Sequence, residues 1–215
     1  MHNTYKCRLD EKSACFEDIG MKAKNVISRR DFDGLINRRQ LNKMSIPTRM
    51  ATAMFQHFSI NDKLRKLSCD PANTPIVICN RYANWDYVAE SMSPSITETM
   101  DSVNSYVATA WFPATVQGHL TIENGNKGEA ITISTKDKDL IRATINALMP
   151  TNDQATNAVI LGTFEYVPSQ IAGQNVIGKR PAFCGALSLI RSSDSSEAIN
   201  LAINLHQEIY SNDSE

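Results

Sequence analysis

The sequence lacks the short motifs that most often identify a catalytic, nucleotide-binding or metal-binding site. It contains no glycine-rich phosphate loop, no Walker motif, no G-x-S-x-G and no zinc-ligand spacing. No apolar run approaches the roughly 18 residues that a membrane-spanning helix needs. The N-terminus also lacks the apolar core of a secretory signal. These absences predict a cytoplasmic protein that needs no metal or other cofactor.

Cysteine and charge narrow the class of protein further. The five cysteines are odd in number and form no C-x-x-C pair, so free thiols in a reducing cytoplasm are expected. They are Cys7, Cys15, Cys69, Cys79 and Cys184. A net charge of −1 argues against a dedicated nucleic-acid binder. With 215 residues, 42% hydrophobic and 21% charged, the chain is typical of a globular protein with a real core.

The most informative stretch is Trp111–Leu148. Apolar residues recur at helical spacing after Pro113, and a turn bracketed by Gly125 and Gly128 ends that helix. Ala130–Ser134 alternates like a strand rich in β-branched residues. The stripes of the two predicted helices are Val116, His119, Leu120 and Ile122, then Leu140, Ile141, Thr144, Ile145 and Leu148. Helix, turn, strand and helix together predict a loop that presents side chains at the strand-to-helix junction.

A strand-to-helix junction is a natural place for a nucleophile. The first helical turn offers unpaired N–H groups, and its positive dipole end lowers the pKa of a thiol. Here the junction Ser134–Lys138 contains no cysteine. Ser134 and Thr135 are interpreted as strand-end or capping residues rather than nucleophiles. Asp137 is interpreted as a carboxylate that stabilises the helix N-terminus by about 0.3–1 kcal/mol.

The same stretch resembles the nucleophile region of the β-ketoacyl synthases, the thiolase-fold condensing enzymes of fatty acid and polyketide assembly. In that family a helix with P-N-x-x-x-G precedes a G-x-x-G-P turn, and a strand ending I-S-T-A-C delivers the cysteine. This chain reads PATVQG at Pro113–Gly118, GNKGE at Gly125–Glu129 and ISTKD at Ile133–Asp137. Laid over the motif, Lys136 replaces the alanine and Asp137 replaces the catalytic cysteine.

The resemblance implies a pseudoenzyme. The family's two catalytic histidines have no counterpart here, and His119 beside the would-be site is interpreted as a helix residue. By resemblance to chain-length-factor-like proteins, the chain would pair with a full-length β-ketoacyl synthase and with an acyl carrier protein. The region implied to contact an acyl chain or the partner subunit comprises Gln117, His119, Ser134, Thr135 and Lys136.

Residues 1–45 are polar and poorly periodic, and are expected to form a solvated, partly mobile extension. Eight basic residues face only two acidic ones between Lys22 and Arg49. The alternative to a solvated stretch is a docking surface for an acidic partner such as an acyl carrier protein. The arginines proposed for that surface are Arg29, Arg30, Arg38 and Arg39.

The order of the remaining elements predicts an α/β fold, with helices flanking a largely parallel central sheet. The ordered domain is expected over 46–215, as the N-terminal half of a thiolase-like fold. A half fold leaves apolar surface uncovered, so an oligomer is expected, preferably with a synthase and otherwise a homodimer through Ala130–Leu148. Two other functions remain open. One is a small acyl-thioester enzyme that uses Ser134, Thr135 or Asp137, and the other is a carrier-protein adaptor.

Overall fold

The computed structural model describes residues 3–82, 84–91, 106–107, 112–149, 158–166 and 184–211. They form one seven-stranded sheet with helices on its faces. The strands are β1 (Thr4–Leu9), β2 (Ser13–Asp18), β3 (Ala23–Ser28), β4 (Ile76–Cys79), β5 (Ala130–Ile133), β6 (Ala158–Glu165) and β7 (Cys184–Arg191). The helices are α1 (Arg29–Gly34), α2 (Arg38–Leu41), α3 (Ile46–His57), α4 (Ile60–Lys66), α5 (Trp85–Ser91), α6 (Thr115–Asn124), α7 (Lys138–Leu148) and α8 (Ser196–Ser211).

The sheet is mixed, which corrects the expectation of a largely parallel one. Its strand order is β3-β2-β1-β7-β6-β4-β5. Only β6, β4 and β5 pair in parallel, whereas β7, β1, β2 and β3 pair antiparallel to their neighbours. Helices connect the parallel strands, and short turns connect the antiparallel strands β1, β2 and β3. The α/β class was therefore predicted correctly, and the sheet type was not.

The expectation that the ordered region begins near Ser45 was wrong. Residues 4–28 form a three-stranded antiparallel meander that extends the sheet, and β1 pairs directly with β7. Tyr5, Cys7 and Leu9 alternate into the core on β1, and Phe16 does so on β2. Apolar residues alternate with other residues along these strands, as one buried face of a sheet requires. The many charged residues between them led instead to the prediction of a solvated stretch.

Helices pack on both faces of the sheet and divide the core in two. On one face α3 and α6 bury Met50, Met54 and Leu120 against the sheet. On the other face α7 and α8 bury Ile145 and Ile203. Each of these helices buries one stripe of apolar side chains. Strand β4 is covered on both faces and is apolar throughout, as is usual for buried parallel strands.

Most predicted elements are confirmed, with shifted ends. Ser45 caps α3, whose second residue is Pro47. The sequence also predicts buried strands at 157–162 and 182–190, and these correspond to β6 and β7. It predicts a polar helix over residues 86–100, of which the structure describes α5, and a turn at 150–154 and a loop at 167–179, which lie outside the described residues. Among the described residues, no helix is long and apolar enough to cross a membrane.

Candidate functional site

The topology of the parallel strands predicts a crevice at their carboxyl ends. The chain passes from β4 through α6 to β5 on one face of the sheet, and from β5 through α7 to β6 on the other. Neighbouring strands whose connections leave toward opposite faces form a topological switch point, which is where open α/β sheets bind ligands. The crevice lies between the residues after Cys79 on β4 and those after Ile133 on β5, which pair in register. The loop implicated by the sequence is therefore at the expected place.

Asp137 is the N-cap of α7. Its Oδ1 accepts hydrogen bonds from the backbone N–H groups of Asp139 at 2.8 Å and Leu140 at 3.3 Å. The backbone N–H of Asp137 in turn donates to Thr135 Oγ1 at 3.0 Å. These contacts confirm the interpretation of Asp137 as a capping residue, since an Asp at this position satisfies two otherwise unpaired helix N–H groups.

The two hydroxyl residues of the junction are held differently. Ser134 Oγ lies 3.1 Å from the hydroxyl of Tyr210 on α8. The carbonyl of Thr135 accepts a hydrogen bond from Gln207 Nε2 at 3.5 Å and lies 3.6 Å from the thiol of Cys79. Burial raises the pKa of Cys79 to about 12, with a weaker opposing effect from its bond to Thr135. That thiol is protonated at neutral pH, and thiols in this state are inert.

A buried carboxylate orders the loop after β4, and sequence reasoning did not select it as a site residue. Glu165, at the end of β6, is 3% exposed, and its carboxylate accepts hydrogen bonds from the backbone N–H groups of Arg81 and Tyr82, the latter at 3.1 Å. Asn80 Oδ1 accepts a bond from the backbone N–H of Phe164 at 2.9 Å. A charged residue ending an otherwise apolar strand was the available signal. These contacts fix the β4 side of the crevice.

Of the two site residues predicted on α6, Gln117 is hydrogen-bonded to β5 near the junction and His119, in the described part of the chain, is not. Gln117 Oε1 accepts a hydrogen bond from Thr132 Oγ1 at 2.9 Å, so it reaches β5 two residues before Ser134. Burial lowers the pKa of His119, and Glu123 partly opposes this. Among the described residues, no hydrogen bond joins His119 to the junction. Lys136 is exposed.

The histidine of α8 is held in the core. His206 is fully buried on α8, with Nδ1 2.9 Å from Thr163 Oγ1 and Nε2 3.0 Å from Ser188 Oγ. Ser188 Oγ continues the chain to Thr4 Oγ1 at 3.0 Å. Burial lowers the pKa of His206 to about 3. Through these hydrogen bonds the neutral ring joins β6, β7 and β1 to α8. Because both nitrogens are engaged, neither is free to take a proton from a substrate.

The four arginines proposed for carrier-protein docking lie on α1 and α2, away from the junction. Arg29 Nε is 3.6 Å from a carboxylate oxygen of Asp33, and its guanidinium stacks over the ring of Phe32. Arg30, Arg38 and Arg39 are exposed. In the part of the chain that the structure describes, no group of three or more histidine, cysteine or carboxylate side chains is arranged to hold a metal ion.

Comparison with solved structures identifies the fold. A chain of the apo AntDE:AntF complex, a type II polyketide synthase acyl-carrier protein with its ketosynthase bound to the hexaketide, matches with a TM-score of 0.56 and 21% identity. The match covers 74% of this chain and 50% of that one. The ketosynthase ApeO in complex with its chain length factor ApeC from Xenorhabdus doucetiae matches with a TM-score of 0.52 and 15% identity. It covers 80% of this chain and 74% of the other.

The chain has a ketosynthase-like fold. This confirms the thiolase-like architecture that the motif at Ile133–Asp137 implied, at the level of the fold. The chain spans about half the length of the first of these structures. No protein-family model and no curated protein sequence matches the chain.

Proposed function

We propose that this chain is a non-catalytic, chain-length-factor-like subunit that pairs with an active β-ketoacyl synthase in fatty acid, polyketide or polyene assembly. The observation that carries the proposal is that Asp137 acts as a helix cap. At the position where the ketosynthase motif places its cysteine, this chain has a carboxylate that caps α7. A carboxylate engaged with two backbone N–H groups is a weak nucleophile toward a thioester without further activation.

The surroundings of the junction support the same proposal. Ser134 shares its hydrogen bond with the Tyr210 hydroxyl rather than with a general base. His206 is fully buried and bonded at both nitrogens. Serine and threonine nucleophiles require an adjacent base, so the alternative of a small acyl-thioester enzyme that uses Ser134 or Thr135 is the less favoured function.

The partners of the two structural neighbours indicate which partners to test. One neighbour is a ketosynthase complex with an acyl-carrier protein, and the other is a ketosynthase complex with its chain length factor. Exposed Arg30, Arg38 and Arg39 offer a basic surface that suits an acidic carrier protein. A carrier-protein adaptor without a synthase partner remains the second alternative, and it predicts binding to the carrier protein alone.

Two measurements test the proposal. Incubation with acyl-loaded carrier protein, followed by intact-mass analysis, should leave the mass of this chain unchanged. Co-purification from the native host should recover a full-length β-ketoacyl synthase. A stable acyl adduct on any residue from Ser134 to Asp137 would contradict the non-catalytic role. Recovery of the carrier protein with no synthase would favour the adaptor.

A further inference from the structure

The end of α8 covers the crevice between β4 and β5. Tyr210 lies in the last turn of this helix, is 4% exposed, and packs with Val77 and Cys79 in the second hydrophobic cluster. Its hydroxyl meets Ser134 Oγ, and Gln207, one turn earlier, reaches the carbonyl of Thr135. One helical turn therefore contacts both strands that form the crevice.

These contacts separate a buried thiol from an exposed loop. Cys79 is 0% exposed, although Ser134 and Lys136, which follow the adjacent strand, are exposed. The thiol lies 3.6 Å from the Thr135 carbonyl, the same carbonyl that accepts the bond from Gln207. The ring of Tyr210 and the side chain of Gln207 therefore cover the crevice on the face of the sheet where α8 packs.

Among the described residues, two side-chain hydrogen bonds hold this turn over the crevice, and the buried ring of Tyr210 supplies the rest of the contact. The Gln207 bond is 3.5 Å long, at the limit of hydrogen-bond geometry, and the Ser134–Tyr210 bond is a single contact between two hydroxyls. Terminal helical turns open locally at free energies well below that of global unfolding. The rest of α8 is secured by Ile203 and by the two hydrogen bonds of His206.

We propose that the last turn of α8 is a latch, in which Tyr210 and Gln207 close the crevice at the carboxyl ends of β4 and β5 and open it by local unfolding. In the closed state Cys79 is shielded from reagents and from any acyl donor. In the open state the thiol and the Ser134 hydroxyl face the same crevice. The latch is a property of the fold and does not depend on the proposed pairing with a synthase.

Cysteine labelling of the folded full-length chain tests the latch, because the protein contains internal controls. Cys7 and Cys69 are buried in the first cluster, away from α8, and Cys15 is half-buried on β2. With excess iodoacetamide under native conditions and peptide mass spectrometry, Cys15 should react first among these three cysteines and Cys79. Cys79 should react faster than Cys7 and Cys69, because the latch opens more often than the core.

Variants separate the latch from general destabilisation. Tyr210→Phe and Ser134→Ala each remove one hydroxyl from the closing pair, so each should raise the labelling rate of Cys79 by about fivefold, the equivalent of one lost hydrogen bond. Tyr210→Ala should raise it further by removing the ring. The rates at Cys7 and Cys69 should not change. If those rates rise together with that of Cys79, or if Ser134→Ala and Tyr210→Phe leave Cys79 unaffected, the latch is wrong.

Discussion

The carboxylate of Asp137 lies 2.8 Å from the backbone nitrogen of Asp139, and this contact makes Asp137 a helix cap. The ketosynthase motif has its cysteine at this position. Here the side chain bonds back to the first turn of α7, and the dipole of that helix favours its negative charge. Asp137 thus stabilises the N-terminus of α7.

Replacing this cap should cost stability without altering the fold. Asp137→Ala is expected to lower the free energy of unfolding by about 1 kcal/mol, within the usual range of 0.5–2 for a lost N-cap. Asp137→Asn keeps the accepting oxygen and should cost less, so it is the matched control. Urea denaturation followed by circular dichroism measures both variants. Equal loss in the two variants would show that the charge of Asp137, rather than its capping bond, matters.

Two glycines of the ketosynthase-like motif should respond in opposite directions to alanine. A Cβ at Gly128 would lie 2.7 Å from the carbonyl oxygen of Asn73, because the turn before β5 packs against that backbone. A Cβ at Gly118, inside α6, would meet nothing within 4 Å. Gly128→Ala should therefore destabilise by about 1–3 kcal/mol through overpacking. Gly118→Ala should stabilise by about 0.5–1 kcal/mol through helix propensity.

Thermal and urea denaturation of the two variants checks this pair. The contrast tests whether the turn is fixed by close approach, as the hydrogen bonds of Asn126 to the carbonyls of Pro71 and Thr74 also indicate. A stable Gly128→Ala variant would show that the turn can move away from Asn73.

The segment around Gly125 and Asp137, the N-terminal meander and α8 differ in how much of their structure can be predicted from the sequence. The helix, turn, strand and cap around Gly125 and Asp137 were predictable because each depends on local signals: spacing, glycine at positive φ and a capping carboxylate. The N-terminal meander was missed, since β1 is stabilised by pairing with β7, which lies far away in the chain. For α8, apolar spacing predicts a buried face that includes Leu201, Ala202 and Ile209. Ala202 and Ile209 are buried, but Leu201 is 53% exposed.

The candidate site shows the same limit. The buried face of α8 carries His206 and Tyr210, polar residues that periodicity of apolar positions does not select. Their partners, Thr163 on β6 and Ser134 just after β5, are far away in the chain, so only the assembled sheet reveals them. Long-range polar pairing was therefore the part of the site that could not be predicted from the sequence.

The buried His206 should make the protein sensitive to acid. Its pKa is about 3 in the folded state and 6.5 when exposed, so the unfolded chain binds the proton first as the pH falls. Stability from this residue is complete above pH 6.5 and decreases below it, by on the order of 3 kcal/mol at pH 4. Asp86 acts in the opposite direction, because burial raises its pKa to about 6 and the folded state then binds its proton first.

A comparison with His206→Gln isolates the histidine, since Asp86 is common to both proteins. Glutamine can still bond to Thr163 or Ser188 but does not titrate. The free energy of unfolding of the native chain should fall more steeply between pH 6.5 and 4 than that of the variant. Parallel pH profiles would show that His206 does not carry the acid sensitivity.

Docking of an acidic carrier protein should depend on the exposed arginines and on salt. Reversing Arg38 and Arg39 to glutamate should slow association, with little effect on dissociation, because exposed charges act mainly by steering. Binding should weaken from low to physiological salt, where screening acts over about 8–10 Å. Surface plasmon resonance with an acyl carrier protein measures both rates.

The control for this prediction is Arg65→Glu, which reverses an exposed arginine on α4 that pairs with Asp62. Arg29 is unsuitable for reversal, because its contacts with Asp33 and Phe32 contribute to the fold. If Arg38 and Arg39 can be reversed without changing the association rate, these helices are an ordinary solvated surface.

The chain should form an oligomer through Ala130–Leu148. β5 is the last strand of the described sheet, so one side of its backbone has no strand partner among the described residues. Beside it, Leu140 on α7 is 49% exposed. An edge strand next to an exposed apolar side chain favours association, with a synthase where one is present and with a second copy otherwise. Light scattering should report a mass above that of the 23.9 kDa monomer.

Leu140→Glu should shift this equilibrium toward the monomer, because the charge would have to be desolvated in the interface. The matched control is Leu201→Glu, which places the same charge at a leucine of similar exposure on α8, outside the predicted interface. Co-expression with the synthase should raise the soluble yield of the native chain and of the control, and should do less for Leu140→Glu. A native chain that stays monodisperse at 23.9 kDa, is thermally stable and recovers no partner would contradict the prediction.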